Sequence, residues 1–210
     1  MKEEICKKVV EVRRKSDRVM TVVLAFEEEV VRVICGYHPQ SRRGTIEKEQ
    51  SFDEMANEWD SQKVDELVLG MSDFNGHVGK WIQGFDGVHE GNGIGERNLE
   101  GRMLLEFCDK KELCVVKTWF RKTEKRKVTF SAGGNEIEID FMLVGRKNRK
   151  YLRDVKTIPG ELQHRLVVAD LDKRKVKKHV RKGMAERRKV WKLKEEETRA
   201  RFEEREFGSW

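Results

Sequence analysis

Four side chains have the types and the places to do chemistry together. Asp73 and Asn75 follow directly on the apolar run Leu67-Val68-Leu69-Gly70, Asp140 lies within Glu138-Ile139-Asp140-Phe141-Met142-Leu143, and His164 stands just ahead of Leu166-Val167-Val168. A carboxylate at the C-terminal end of a buried strand is where α/β folds often place reactive groups. An aspartate in mid-strand between Ile139 and Phe141 is costly if buried alone, so Asp140 needs a partner, and His164 is the obvious candidate. An imidazole oriented by a carboxylate can move a proton or meet an anion near neutral pH. Each residue also has a plainer use. Asp73-Phe74-Asn75 is a turn signal, because Asp and Asn bond locally to the backbone, and a lone histidine is a common satisfied sheet residue.

The elements that must position these groups are legible as patterns. In residues 18–36 two β-branched runs flank Glu27-Glu28-Glu29, which predicts a two-stranded hairpin. After Pro39, Ile46, Phe52, Met55 and Trp59 recur at helical spacing and predict an amphipathic helix. Glu66-Leu67-Val68-Leu69-Gly70 reads as a short buried strand entering the Asp73 turn. Residues 81–96 are glycine-rich without periodicity and read as a long loop. Leu99, Met103, Leu104 and Phe107 form the stripe of a second helix over 98–111. Strands are then expected at 113–120, 127–131, 137–144, 155–159 and 165–170, with Gly133-Gly134-Asn135 among the turn signals. Beyond Asp172 the chain alternates charge with few apolar residues, so the domain spans 1–172 and 173–210 is a basic tail, read as exposed helix or partial disorder.

Composition narrows the class. Of 210 residues 37% are hydrophobic and 40% charged, enough for one domain with an appendage. The net charge of +7 favours an acidic partner, of which a polyphosphate backbone is the commonest. Cys6, Cys35, Cys108 and Cys114 have neither a zinc-ligand nor a secreted-scaffold spacing, which fits a reducing intracellular compartment. No stretch has the length of a membrane-spanning helix, so no membrane partner is expected. His38, His77, His89 and His179 have no ligand spacing and receive no role. Trp81, Trp119 and Trp191 are read as packing or loop anchors.

The order of Tyr37-His38-Pro39-Gln40, Asp73-Phe74-Asn75, Asn98 before a helix, Thr129-Phe130-Ser131, Ile139-Asp140-Phe141 and a closing His164 resembles the second half and more of an endonuclease/exonuclease/phosphatase domain. More narrowly, SDRVM, VICGYHPQ, ELVLGMSDFNGHVG, GERNLEGRMLLEFC, LQHRLVVADL and the tail RRKVWKLKEEETRARFEER are similar to the endonuclease region of RTE-type non-LTR retrotransposons. The likeness covers nearly the whole chain. It implies a DNase I-like α/β fold, two sheets face to face with helices outside, lacking the first strands. It further implies Mg²⁺ as cofactor, DNA as substrate, an intracellular, nuclear location, and protein partners through an exposed sheet edge.

The resemblance also implies roles. Asp73 would orient or deprotonate the attacking water, and Asn75 would bond a phosphate oxygen and hold Asp73. His164 would contact the scissile phosphate with Asp140 fixing its tautomer. Tyr37 would donate to the same phosphate and Asn98 would line the substrate side, although packing is an equal reading for both. Departures accompany these matches. On the family pattern the sequence starts downstream of a strand bearing an Asn and one bearing the Glu that is the principal metal ligand. Glu3, Glu4 and Glu11 lie in a mixed-charge segment without strand pattern and are poor replacements. Gln163 stands where many members have Asp, a weaker ligand for a hard cation, and Ser72 stands where a Gly is common. Two expectations follow: a retrotransposon-derived, Mg²⁺-dependent DNA endonuclease weakened or inactivated by its incomplete metal site, or a non-catalytic remnant that binds nucleic acid or protein.

Overall fold

A computed structural model describes residues 2–172 apart from positions 28, 64, 65 and 161. The expected tail, the boundary at 172, His179 and Trp191 lie outside the described residues. A short helix α1 (Lys2–Cys6) leads into the strands β1 (Val9–Arg14), β2 (Val19–Ala25) and β3 (Val30–Tyr37). Helix α2 (Thr45–Asp60), strand β4 (Glu66–Asp73), helix α3 (Leu99–Lys110) and strand β5 (Leu113–Val115) follow. The chain continues through β6 (Phe130–Ala132), β7 (Asn135–Ile137), β8 (Asp140–Gly145), β9 (Leu152–Ile158) and β10 (Leu166–Leu171).

Six strands form one sheet in the order β1-β2-β3-β4-β8-β5, and β9–β10 and β6–β7 form two small sheets. Because successive side chains on a strand point to opposite faces, the pattern divides the core in two. Val68 of β4 and Leu143 of β8 pack with Met55 and Trp59 of α2 and Leu104 and Leu105 of α3. Their neighbours Leu67, Leu69, Met142 and Val144 face the other way and meet Val155, Val167 and Ala169 of the β9–β10 hairpin. The expected α/β layering is therefore present. Leu143 is wholly buried, so truncating it to alanine would destabilise the fold by roughly 2–5 kcal/mol.

Topology places the chemistry. β3 and β4 run parallel through the α2 crossover, which sets Tyr37 beside Asp73. β4 and β8 run antiparallel, which sets Asp73 beside Asp140. Tyr37, Asp73 and Asp140 thus form one row across three strand ends. The β6–β7 hairpin turns on Gly133 and Gly134, at φ 58° and 81°, the left-handed pair that a two-residue hairpin loop requires.

Several boundaries differ from expectation. Residues 9–14 pair with β2 although no strand was expected there; the edge position needs only one side covered, which tolerates Glu11, Arg13 and Arg14. The strand expected over 113–120 stops at Val115 and continues as a 3₁₀ turn, because Thr118 Oγ1 donates to the Val115 carbonyl at 2.7 Å and draws the backbone out of the ladder. The run 137–144 is broken at 138–139, so Asp140 opens β8 and does not sit in mid-strand. Thr129 Oγ1 accepts the N–H groups of both Ile139 and Asp140 at 3.0 Å and holds that break.

Candidate active site

β4 delivers Asp73 at its last residue, and the chain then turns through Asn75 in the left-handed region at φ 49°. The turn is closed by the Asn75 N–H, which donates to Asp73 Oδ1 at 2.8 Å. The Asn75 amide nitrogen donates to the His38 carbonyl at 2.7 Å, and the His38 N–H donates to the Asp73 carbonyl at 2.8 Å. His38 is buried between Phe52 and Phe74 with Nδ1 against the Ser51 hydroxyl at 2.9 Å. It clamps the strand end by main-chain bonds, a role its spacing did not announce.

His164 reaches the row from outside the central sheet. It makes an isolated bridge with Phe130, whose ring packs edge-on at 4.8 Å, and so stands just ahead of β10 and outside the strands of the central sheet. Nδ1 lies 3.1 and 3.3 Å from the two Asp140 carboxylate oxygens. The expected Asp140–His164 contact is therefore made, and it leaves Nε2 turned toward Asp73, 4.0 Å from Oδ2. Asp73 is nearly buried, Asp140 partly, and the imidazole is about half open at 47%. Burial first, and then the Asp140 charge, push the Asp73 carboxyl up to about 6, while the Asn75 N–H and His164 hold it down. Such a carboxylate is a useful proton acceptor near neutrality.

The remaining expectations fare differently. Tyr37 is exposed at the same row of strand ends, with Arg18 5.9 Å from its ring centre. Asn98 caps α3: its Oδ1 accepts from the N–H groups of Gly101 at 2.8 Å and His77 at 2.8 Å, so its carbonyl is committed to the fold. Gly101 permits that approach, since a Cβ there would lie 1.8 Å from the His77 carbonyl oxygen. Gln163 is exposed, and its main-chain carbonyl accepts the Ser131 N–H at 2.8 Å. Trp81 is 72% exposed and packs into no core, contrary to expectation. His89, to which no role fell, is fully buried and staples the long loop, with Nε2 donating to the Gly79 carbonyl at 2.8 Å and Nδ1 accepting the Gly91 N–H at 2.7 Å. Thr129 was visible only as part of a motif.

Asp73, Asp140 and His164 each offer one ligand atom within 4.8 Å of the others. A hard cation such as Mg²⁺ demands several oxygen ligands in near-octahedral array. Here both Asp140 oxygens face His164 and Asp73 Oδ1 is taken by Asn75. Glu4 is exposed, and Glu11 pairs with Arg13 at 2.6 Å. Among the described residues the donor set does not by itself match Mg²⁺.

Solved structures share the fold. The fold matches the endonuclease domain of TRAS1, a telomere-specific non-LTR retrotransposon, at TM-score 0.53 and 11% identity, covering 74% of this chain and 64% of that one. It matches the 3′-5′ exonuclease NExo from Neisseria meningitidis at TM-score 0.54 and 18% identity, over 74% and 65%. An AP endonuclease from Archaeoglobus fulgidus matches at TM-score 0.55 and 13% identity, over 78% and 71%. The chain thus has the DNase I-like fold of endonuclease/exonuclease/phosphatase proteins. In sequence it is similar to craniofacial development protein 2: 27% identical to the Bos taurus protein over 161 residues, 74% of this chain and 27% of that protein. The Tragulus javanicus protein of the same name is 30% identical over 112 residues, 51% of this chain and 19% of the relative. The chain thus spans about a quarter or less of these relatives. No family model matches it.

Proposed function

We propose that this chain is a retrotransposon-derived DNA endonuclease domain that keeps the acid–base half of a phosphodiester-hydrolysing site. The observation that carries the reading is the alignment of Asp140, His164 Nε2 and Asp73 Oδ2, with a 4.0 Å gap between the last two. Asp140 accepts the Nδ1–H of His164 and fixes the tautomer, so Nε2 is the atom presented to substrate. Protonated there, it donates to a phosphate oxygen and counters its charge. Asp73, with Oδ1 held by Asn75 and its carboxyl poised near neutral pH, takes through Oδ2 the proton of a water that attacks phosphorus as the P–O bond to the leaving group breaks. Tyr37, in the same row, is placed to donate a further hydrogen bond to the phosphate, whereas the Asn98 carbonyl is occupied by its cap.

Mg²⁺ remains the cofactor the family likeness suggests, and we infer that residues 1–210 alone hold it weakly, since Gln163 and the committed Asp140 oxygens leave few donors. Cleavage of plasmid DNA should then be slow. An activated diester, bis(4-nitrophenyl) phosphate, lowers the intrinsic barrier and tests the residues directly. The parent chain turns it over, and His164→Ala and Asp73→Asn lower the rate by about 10²–10⁴-fold. Equal rates in parent and variants would overturn the catalytic reading. The incomplete donor set favours one rival, a nucleic-acid-binding domain without catalysis; DNA binding with no diester turnover at any Mg²⁺ concentration would establish it.

A further inference from the structure

The loop between β4 and α3 encloses an open cavity of about 700 Å³, bounded by Gln83, Phe85, Arg97, Asn98, Leu99 and Arg102. Two like charges meet there. Burial first, and then the charge of Arg102, hold the Arg97 guanidinium below its usual range. Arg97 lies over the Phe85 ring at 4.8 Å, and its Nε donates to the Val78 carbonyl at 3.2 Å, which locks it in place. Arg102 turns Nε to Glu106 at 2.8 Å, and among the described residues its Nη groups have no partner. Among the described residues Glu106 is the one carboxylate paired with these guanidinia, and it is itself half open to solvent. The exposed Trp81 belongs to the same loop and its carbonyl accepts from Arg97.

The cavity is tied to the strand ends. Its wall residue Asn98 accepts the His77 N–H at 2.8 Å, and His77 is four residues after Asp73, a span of at most about 14 Å of extended chain. A nucleic-acid strand running from one place to the other would present a phosphate at both. We propose that this cavity binds a phosphate of a nucleic-acid strand whose neighbouring phosphodiester lies at the Asp73–His164 site, with Arg102 and Arg97 as the anion contacts. Trp81 then offers its face to an adjacent base, a sequence-tolerant contact. This rests on the hydrolase reading only for the position of the second phosphate; the binding itself does not require cleavage.

The test is binding of a fluorescein-labelled single-stranded oligonucleotide to the full chain, followed by anisotropy from about 50 to 200 mM salt. Arg102→Gln weakens binding for all sequences alike and lowers the magnitude of the log–log salt slope by about 0.7, one phosphate contact on a single strand. Trp81→Ala weakens it by about tenfold with the slope unchanged. Lys147→Glu, which reverses a charge beyond the far end of β8, serves as control and leaves the slope near that of the parent. Failure of the parent to bind, an unchanged slope in Arg102→Gln, or equal effects from Arg102→Gln and Lys147→Glu would overturn the proposal. Inorganic phosphate or a nucleoside monophosphate that displaces the strand at micromolar concentration would do so too, because the site would then serve a free anion. Asp73→Asn separates the two readings: if it abolishes diester turnover and keeps the slope, both stand. If the parent never turns over the diester while Arg102→Gln still lowers the slope, the cavity stands and the hydrolase reading falls.

Discussion

Two acid–base pairs whose carboxylates lie two residues apart in sequence do opposite things. Glu138 meets Lys117 at 3.3 Å with both side chains almost wholly buried, at 3% and 2% exposure. Asp140 meets His164 at 3.1 Å with 22% and 47% exposure. Burial pushes the Glu138 carboxyl up and the Lys117 ammonium down, and each charge is held by the other, with Lys117 Nζ also donating to the Lys127 carbonyl. That pair can only be structural, since nothing can reach it. The second pair uses the same kind of contact at a strand end, where a substrate can approach. Exposure, and not pairing, separates a strut from a reactive group.

Breaking the buried pair should have the largest effect. Lys117→Met leaves Glu138 buried and uncompensated and is expected to destabilise the fold by about 3–5 kcal/mol in denaturant unfolding. Lys117→Met with Glu138→Leu should recover most of that loss. A single variant within about 1 kcal/mol of the parent would show that the pair is not a strut.

The open pair should behave in the reverse way. His164→Ala should leave unfolding within about 1 kcal/mol of the parent, as for exposed pairs, while diester turnover collapses. A large stability loss would move this pair into the structural class as well.

A third base, buried as Lys117 is, sharpens the contrast through pH. Burial lowers His89 from 6.5 to about 4, so the unfolded chain binds a proton before the folded chain does. Its contribution is therefore fully present above pH 6.5 and is lost as pH falls toward 4. The parent should lose more stability across that window than His89→Gln, whose side chain does not titrate. Parallel pH curves for the two proteins would refute the assignment. Smallest of all is the cap: Asn98→Ala should cost about 1 kcal/mol of stability by freeing the Gly101 and His77 N–H groups. No change in the melting temperature would return Asn98 to the substrate side.

Pattern made the scaffold legible because period and burial are local properties. The β-branched runs around Glu27 gave the hairpin, and Met55 and Trp59 at helical spacing gave α2. β1 escaped notice because an edge strand need not alternate cleanly, and the break before Asp140 did because Thr129, eleven residues upstream, imposes it. The site was legible in part. Asp140 demanded a partner by its chemistry, and His164 was the group able to supply it.

By itself the sequence determined which residues carry chemistry and that strand ends would present them, since residue type and periodicity do not depend on distant contacts. Only the tertiary structure decided the rest. Registering Tyr37, Asp73 and Asp140 in one row required the parallel β3–β4 and antiparallel β4–β8 pairings, which join residues 36 and 67 positions apart. The same long-range packing buried His38 and His89, committed Asn98 to a helix cap, and left Trp81 in solvent. Burial is a property of neighbours brought in from elsewhere along the chain, so no local pattern could assign it.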